Sequence, residues 1–184
     1  MTVCIGIIDK EKHCCYVGAD HGVKDYSCRL YTTTPKVFHP LGREDIVVAC
    51  SGSIRACNLL YSDPDIFNAI RYRDNEGLTR DLIKIFIPKL REYKNLLYGD
   101  DLENAFDLII AIKDRMFTIQ ADFSLYEVDS VITIGSASET AYGAVRMAQL
   151  LLPSKIEGII PDAILICANY NYGISTYSTT LKTE

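Results

Sequence analysis

Three residues in the first part of the chain carry side chains that together could break an amide bond. Thr2 follows Met1, and removal of Met1 would leave a free α-amine beside the threonine hydroxyl. That hydroxyl is too weakly acidic to attack unaided, but an α-amine with an ordinary pKa of about 7.7–8.0 can take its proton near neutral pH. Lys36 would disfavour protonation of the amine and stabilise negative charge on the threonine oxygen. Asp20 would fix the lysine and compensate its charge.

Each of these residues also has an ordinary interpretation. A threonine after the first methionine has no functional meaning by itself, and Asp20 with Lys36 could be a surface ion pair. The functional hypothesis therefore depends on whether the chain brings the three side chains together.

The flanking sequence predicts strands that would do so. The apolar run 3–8 predicts a buried strand behind Thr2, and the polar run 9–12 predicts a turn. Residues 13–19 predict a returning strand that ends at Asp20. Lys36 stands at the start of a short strand that includes Val37.

The rest of the chain predicts an α+β fold. Strand patterns fall in blocks and helical patterns are grouped between them, which predicts two antiparallel sheets flanked by helices in a four-layer αββα sandwich. Pro88 is expected to kink or divide the helix over 78–97, and Pro161 to begin a helix ending near 170. We expect a single domain over residues 1–184. The predicted segments are a hairpin (21–34), strands (46–50, 106–112, 116–121, 131–134 and 174–181) and helices (53–61, 78–97, 139–152 and 161–170).

Composition excludes several classes of function. The net charge of −5 argues against nucleic acid as a partner, because phosphate binding needs a basic excess. No apolar run approaches the roughly 20 residues that span a bilayer, and no signal peptide pattern is present. The seven cysteines include no Cys-x-x-Cys pair, which fits neither a disulfide framework nor a zinc site. We expect a cytoplasmic protein with no metal.

Five segments occur in an order that resembles a known family: Thr2, Gly18-Ala19-Asp20, Lys36, Cys50-Ser51-Gly52-Ser53 and Ile134-Gly135-Ser136. Together they resemble the proteasome β-subunit family of N-terminal-threonine hydrolases. The length is most similar to the bacterial HslV type. The Thr-to-Asp and Thr-to-Lys spacings are slightly longer than usual in the family, which a longer turn at residues 9–12 would explain.

The resemblance implies roles for four further residues. The Gly52 backbone N–H would bind the oxyanion, Cys50 would form the floor of the substrate side-chain pocket, and Ser136 would hydrogen-bond near the terminal amine. Gly52 could equally be needed only for a turn, and Ser136 could cap the helix that follows. Asn169 stands where the family has a supporting aspartate, so it keeps the shape and loses the charge. Tyr172 replaces a small hydroxyl.

The resemblance implies a peptidase that works by acyl transfer to Thr2 without a cofactor. It also implies a homo-oligomeric ring with sites facing an inner chamber, peptide or protein substrates and an ATPase partner. Three alternatives stay open: a catalytically silent scaffold subunit, an amidohydrolase of small amides, and an unrelated α+β binding protein. Asn169 and Tyr172 favour the silent subunit, while Thr2, Asp20 and Lys36 oppose it.

Overall fold

Two antiparallel sheets lie at the centre of the molecule. The computed structural model describes residues 1–25, 28–31, 34–68, 70–71, 75–98, 106–151 and 156–184. The four-stranded sheet has the order β10-β1-β2-β11, the five-stranded sheet has the order β5-β6-β7-β8-β9, and β3 and β4 form a two-stranded sheet. The strands are β1 (Val3–Asp9), β2 (Cys14–Asp20), β3 (Gly22–Asp25), β4 (Cys28–Tyr31), β5 (Val37–Phe38), β6 (Ile46–Gly52), β7 (Phe106–Ile112), β8 (Arg115–Ile119), β9 (Leu125–Val128), β10 (Val131–Gly135) and β11 (Ser178–Lys182).

Helices cover the outer face of each sheet. The helices are α1 (Ile54–Ser62), α2 (Asn75–Asp81), α3 (Ile87–Tyr98), α4 (Ser138–Leu151) and α5 (Ile156–Tyr170), with a 3-10 turn at Pro64–Phe67 and a π-helical turn at Leu82–Phe86. None of the helices among the described residues has the length and apolar character needed to cross a membrane.

The alternation of side chains along the strands builds three apolar layers. In β1, Val3 and Ile5 pack against α4 and α5, whereas Cys4 between them packs against the other sheet. In β6, Val48 packs on the side of α1 and α3, whereas Ala49 lies between the sheets. Because neighbouring side chains of a strand point to opposite faces, each central strand contributes to two layers. The order is helix, sheet, sheet, helix, which confirms the predicted αββα sandwich.

The proline in the long helix is accommodated by a wider turn. The Ile87 N–H donates to the Leu82 carbonyl, five residues back, immediately before Pro88. Proline has no N–H to donate, and its ring crowds the preceding turn of the helix. The sequence predicted a kink or a division of the helix here, and the structure has a π turn between α2 and α3 at this place. Ile83, which lies within this helix, is 52% exposed. Leu82 occupies the buried stripe, and Ile83 lies about 100° further round the helix.

Other predicted boundaries also moved. Helix α5 begins at Ile156, so Pro161 lies inside it and the prediction of a start there was wrong. Burial of Ile160 and Ile164 holds the helix despite the missing N–H, since packing commonly outweighs local preference. The last strand begins at Ser178, after a bend. Positions 26–27, 32–33 and 152, which the sequence placed in elements, lie outside the described residues.

Candidate active site

Thr2 lies between two neighbouring strands that supply its partners. In the register of the sheet, Val3 is opposite Gly135 of β10, and Cys4 is opposite Ala19 of β2. Ser136 and Asp20, the residues that follow, therefore meet at the start of β1. The Thr2 N–H donates to Ser136 Oγ at 3.3 Å, and the Ser136 hydroxyl lies 3.4 Å from the Thr2 carbonyl oxygen. The strand pairing thus brings together residues that are distant in sequence.

Asp20 is a buried carboxylate, and each of its two oxygens accepts two hydrogen bonds. Its Oδ1 accepts from the Val3 N–H at 3.0 Å and from Lys36 Nζ at 3.1 Å. Its Oδ2 accepts from the N–H groups of Gly22 at 2.8 Å and Ser175 at 3.1 Å. The residue has no exposed surface. One side chain therefore ties together the start of β1, the lysine and the segment after α5.

Lys36 is a buried cation. Its side chain is 3% exposed, it pairs with Asp20, and its Nζ also donates to the Gly22 carbonyl. A buried ammonium needs such partners, because desolvation is costly. The pair lies immediately beside the residue that follows Thr2.

Two glycines beside this centre have backbone conformations that favour glycine. Gly135 has φ of +96°, and an added Cβ would lie 2.2 Å from the Thr2 carbonyl oxygen. No other residue fits there without displacing β1 or β10. Gly52 has φ of +97° and ends β6 just before α1 begins. A left-handed conformation of this kind favours glycine.

A cavity of about 200 Å³ lies beside Thr2 and Lys36. Thr2, Lys36 and Gly52 contribute its polar side, and Val23 and Ile54 contribute aliphatic groups. The remaining lining residues are Met1, Cys50 and Cys57. The cavity is large enough for one side chain of a ligand beside Thr2.

Two of the lining residues, Cys50 and Cys57, carry thiols. Cys50 has no exposed surface, and its carbonyl accepts from Cys4 Sγ at 3.5 Å and Cys57 Sγ at 3.6 Å. A hydrogen bond with the Cys57 side chain and burial together raise the pKa of the Cys50 thiol. Burial also raises the pKa of the Cys4 thiol. Cys4 and Cys50 are therefore uncharged at neutral pH.

The structure places every predicted site residue except Asn169 at or beside this cavity. Asn169 lies on the exposed side of α5, and Tyr172 is 65% exposed. Instead, Gly173, with φ of +102°, lies against the Met1 side chain, and the Ser175 N–H reaches Asp20. Sequence reasoning missed the role of Ser175, because a backbone donor has no residue-type pattern.

The chain is similar in fold to several solved structures. No family model matches the sequence, and no curated protein matches it. Three similar solved structures are Thiobacillus denitrificans BPH in complex with epoxomicin (TM-score 0.75, 20% identity, 98% of each chain covered), eukaryotic HslV from Trypanosoma brucei (0.71, 16%, 97% of this chain and 98% of that one) and Anbu, an ancestral beta-subunit, from Yersinia bercovieri (0.69, 12%, 98% and 80%).

This chain has a proteasome β-subunit-like fold. The likeness extends over nearly its whole length, which confirms the fold that the order of motifs implied. Within this proteasome-like fold, Thr2 immediately precedes the first strand, beside a buried lysine and a cavity with polar and aliphatic walls.

Proposed function

We propose that this chain is an N-terminal-threonine hydrolase, a peptidase that acts once Met1 has been removed. Thr2 Oγ attacks the carbonyl of a peptide bond while the α-amine of the same residue takes its proton. The leaving amine departs with that proton and an ester remains on Thr2. Water activated by the α-amine then attacks the ester and releases the acid. The convergence of Thr2, Lys36 and Asp20 beside one cavity carries this proposal.

Lys36 and Asp20 act through charge in this proposal. A cationic Lys36 at the wall of the cavity disfavours the protonated α-amine and stabilises charge that develops on Thr2 Oγ. Asp20 holds the lysine at 3.1 Å and, through the Val3 N–H, fixes the backbone that carries Thr2. Ser136, within reach of the Thr2 nitrogen, orients the amine once it is free.

Gly52 is proposed to supply the oxyanion-binding N–H. It lines the cavity at the strand-to-helix junction, where an amide can be aimed at a tetrahedral intermediate. Cys50 is proposed as the floor of the side-chain pocket. With Val23 and Ile54 as walls, the pocket suits an apolar side chain next to the scissile bond.

A catalytically silent subunit is the second candidate. With Met1 in place, the Thr2 nitrogen is an amide that cannot act as a base, and the Met1 side chain lines the cavity and packs against Gly173. The exposed positions of Asn169 and Tyr172 also favour this candidate, because neither side chain lines the cavity.

Peptide cleavage by matched variants distinguishes the two. We expect the protein without Met1 to cleave fluorogenic peptides with an apolar side chain before the cut. Thr2→Ser keeps a hydroxyl and an amine and is expected to retain activity, whereas Thr2→Ala is expected to lower kcat at least about 10³-fold. Thr140→Ala, on α4 and away from the cavity, is the control. Equal cleavage by Thr2→Ala and the parent protein would overturn the proposal.

The cellular setting is part of the same proposal. We place the protein in the cytoplasm, which is consistent with the six described cysteines that are free thiols. We also propose that copies assemble into a closed ring with the Thr2 cavities facing an inner chamber, which an ATPase partner feeds with protein substrates.

A further inference from the structure

A second cavity, of about 460 Å³, lies where α2 and the π turn face β8 and β9. Its helical side is lined by four polar or charged side chains and one isoleucine: Glu76, Thr79, Arg80, Lys84 and Ile83. It shares no described lining residue with the Thr2 cavity. Its volume is within the range of about 300–1,000 Å³ that is typical of small-molecule sites, and the proposed peptidase mechanism does not use it.

The sheet side of this cavity is formed by an ion pair. Arg115 Nε and Nη2 donate to the two carboxylate oxygens of Glu127 at 2.7 and 2.8 Å. The Arg115 guanidinium lies 5.0 Å from the centre of the Phe117 ring, and Nη2 also reaches Thr79 Oγ1 at 3.4 Å. Because the two charges compensate each other at short distance, this side of the cavity offers no net charge to a ligand.

The helical side carries two cations that line the same cavity. Arg80 and Lys84 are both exposed, and neither has an ion pair with another residue that the structure describes. They lie four positions apart, a spacing at which like charges on a helix repel. With three cations and two carboxylates, the cavity wall has a net charge of +1, whereas the whole chain has −5. An anion between Arg80 and Lys84 would relieve their repulsion.

The cavity also has an apolar surface, which Ile83 provides. This side chain lines the cavity and is 52% exposed. The methylene groups of Arg80 and Lys84 extend the apolar surface on either side of it. Ile83 belongs to a π turn, and such turns occur frequently at functional sites. The cavity therefore combines an apolar contact surface with two cationic groups.

We propose that this cavity is a binding site for a small monocarboxylate with an apolar chain. The carboxylate accepts hydrogen bonds from Arg80 and Lys84, and the chain covers Ile83. A net charge of +1 matches one carboxylate better than a phosphate dianion, and inorganic phosphate has no apolar part to cover the isoleucine. The site involves no covalent step and is independent of the chemistry proposed for Thr2.

Binding is tested with decanoate on the full-length protein, labelled with ¹³C at its isoleucine methyl groups. Decanoate is kept below its micelle concentration, and the Ile83 signal is assigned by its loss in Ile83→Val. We expect the Ile83 methyl signal to shift to saturation, and the signal of Ile54, in the Thr2 cavity, to stay in place. Decanol, with the same chain and no charge, is expected to bind at least about tenfold more weakly, and inorganic phosphate should leave Ile83 unshifted.

Three results of this titration would overturn the proposal. They are the absence of a saturable shift at Ile83, a shift at Ile54 in its place, and equal affinity for decanoate and decanol.

Matched variants locate the anionic group. Arg80→Gln combined with Lys84→Gln removes both charges and keeps polar side chains at both positions. We expect this protein to bind decanoate at least about tenfold more weakly and to bind decanol as the parent protein does. Lys89→Gln, at an exposed position outside the cavity wall, is the control and should bind decanoate like the parent protein. Unchanged decanoate binding in the double variant would contradict the assigned role of the two cations.

The apolar contact has its own variant. Ile83→Ser removes the apolar surface at a position that is already exposed, and it is expected to weaken the binding of decanoate and decanol together. Thermal unfolding shows whether each variant is folded. Parent-like binding by a folded Ile83→Ser protein would show that the chain does not lie in this cavity.

Discussion

Lys36 carries a charge at a buried position, where the loss of water is costly. Its ammonium is buried, paired with Asp20 and bonded to a backbone carbonyl, on the wall of the cavity that contains Thr2. A cation is kept in such a place only when its partners compensate the loss of water. In the proposed mechanism the same charge acts on the α-amine and on the oxyanion that develops at Thr2.

Replacing Lys36 separates these effects. We expect Lys36→Ala to lower kcat/KM at least about 100-fold, as removal of a positioned electrostatic group does. It should also lower the free energy of unfolding by up to about 3–5 kcal/mol, because Asp20 stays buried without its cation. Steady-state kinetics and urea unfolding measure the two. Lys89→Ala, at an exposed position, is the control and should change neither. Unchanged kcat/KM in a folded Lys36→Ala protein would refute the role.

Asp107 gives a prediction about pH. It lies half-buried on β7, and burial raises its pKa above the ordinary value of about 3.9. Between the ordinary and the raised pKa the folded protein binds more protons than the unfolded chain. The free energy of unfolding contributed by this group therefore falls as pH rises through that interval.

The matched variant is Asp107→Asn, which keeps the shape and cannot ionise. We expect the variant to gain stability relative to the parent protein as pH rises from about 3.5 to 7, with the change complete once Asp107 is ionised in the folded state. Urea unfolding at a series of pH values measures this. Parallel profiles for the two proteins would show that Asp107 ionises at its ordinary pKa.

At the scale of single residues, the sequence indicated the side chains that meet at the candidate site but not the backbone N–H groups that bind Asp20. Thr2, Asp20 and Lys36 could be found because their chemistry is specific to their residue types. The N–H groups of Gly22 and Ser175, which complete the carboxylate site, could not, because every residue except proline has one. Asn169 was expected beside Thr2 from its position in a motif, and it lies on the exposed side of a helix.

At the scale of secondary structure, the position of Thr2 depends on a close approach between the start of β1 and the end of β10. Gly135 makes this possible, since its added Cβ would overlap the Thr2 carbonyl oxygen. The two atoms nearest to this added Cβ are the carbonyl oxygen and carbon of Thr2. Because both are backbone atoms, a side-chain rotation cannot relieve the overlap. The start of β1, and with it the nucleophile, is positioned by this contact.

Gly135→Ala should therefore damage stability and activity together. The left-handed φ alone costs about 1–3 kcal/mol, and the overlap adds to it. We expect kcat/KM to fall at least tenfold in whatever fraction remains folded. Gly143→Ala and Gly158→Ala are the controls, since their added Cβ atoms meet nothing within 4 Å on α4 and α5. Each control should be stabilised by about 0.5–1 kcal/mol in thermal unfolding. A Gly135→Ala protein as stable as these controls would contradict the account.

Helices were harder to delimit than strands. The sequence predicted that Pro88 would interrupt a helix and that Pro161 would begin one. In the structure a π turn precedes Pro88, and the helix that contains Pro161 begins earlier, at Ile156. Local rules for proline compete here with burial of apolar side chains, such as Leu82 and Ile160, along the same helix. Sequence patterns do not reveal which effect is larger.

For the whole molecule, the sequence predicted the layers correctly. The alternating and continuous apolar runs of β1, β6 and β7 could be assigned to layers because a strand exposes two faces. The pairing order could not be obtained this way. β11, the last strand, pairs with β2 and not with a neighbour in sequence.

The surface supports a prediction about assembly. Large apolar side chains are exposed on α4, including Met147 at 58%, Leu150 at 80% and Leu151 at 70%. Exposed apolar groups that are contiguous mark interaction surfaces. We expect native mass spectrometry to give a closed oligomer whose mass is a multiple of the 20.6 kDa chain. Leu150→Glu should lower the oligomer fraction, with Lys89→Ala as a control. A monomer at micromolar concentration would contradict the proposed ring.

The central claim is that Thr2 is a free N-terminal nucleophile, and one measurement tests it most directly. The intact mass of the purified protein is recorded before and after incubation with a peptide epoxyketone, a reagent that requires a hydroxyl and a free amine on one residue. We expect a chain without Met1 that gains one adduct, and a Thr2→Ala variant that gains none. A chain that keeps Met1, or that loses it and gains no adduct, would contradict the peptidase and favour the silent subunit.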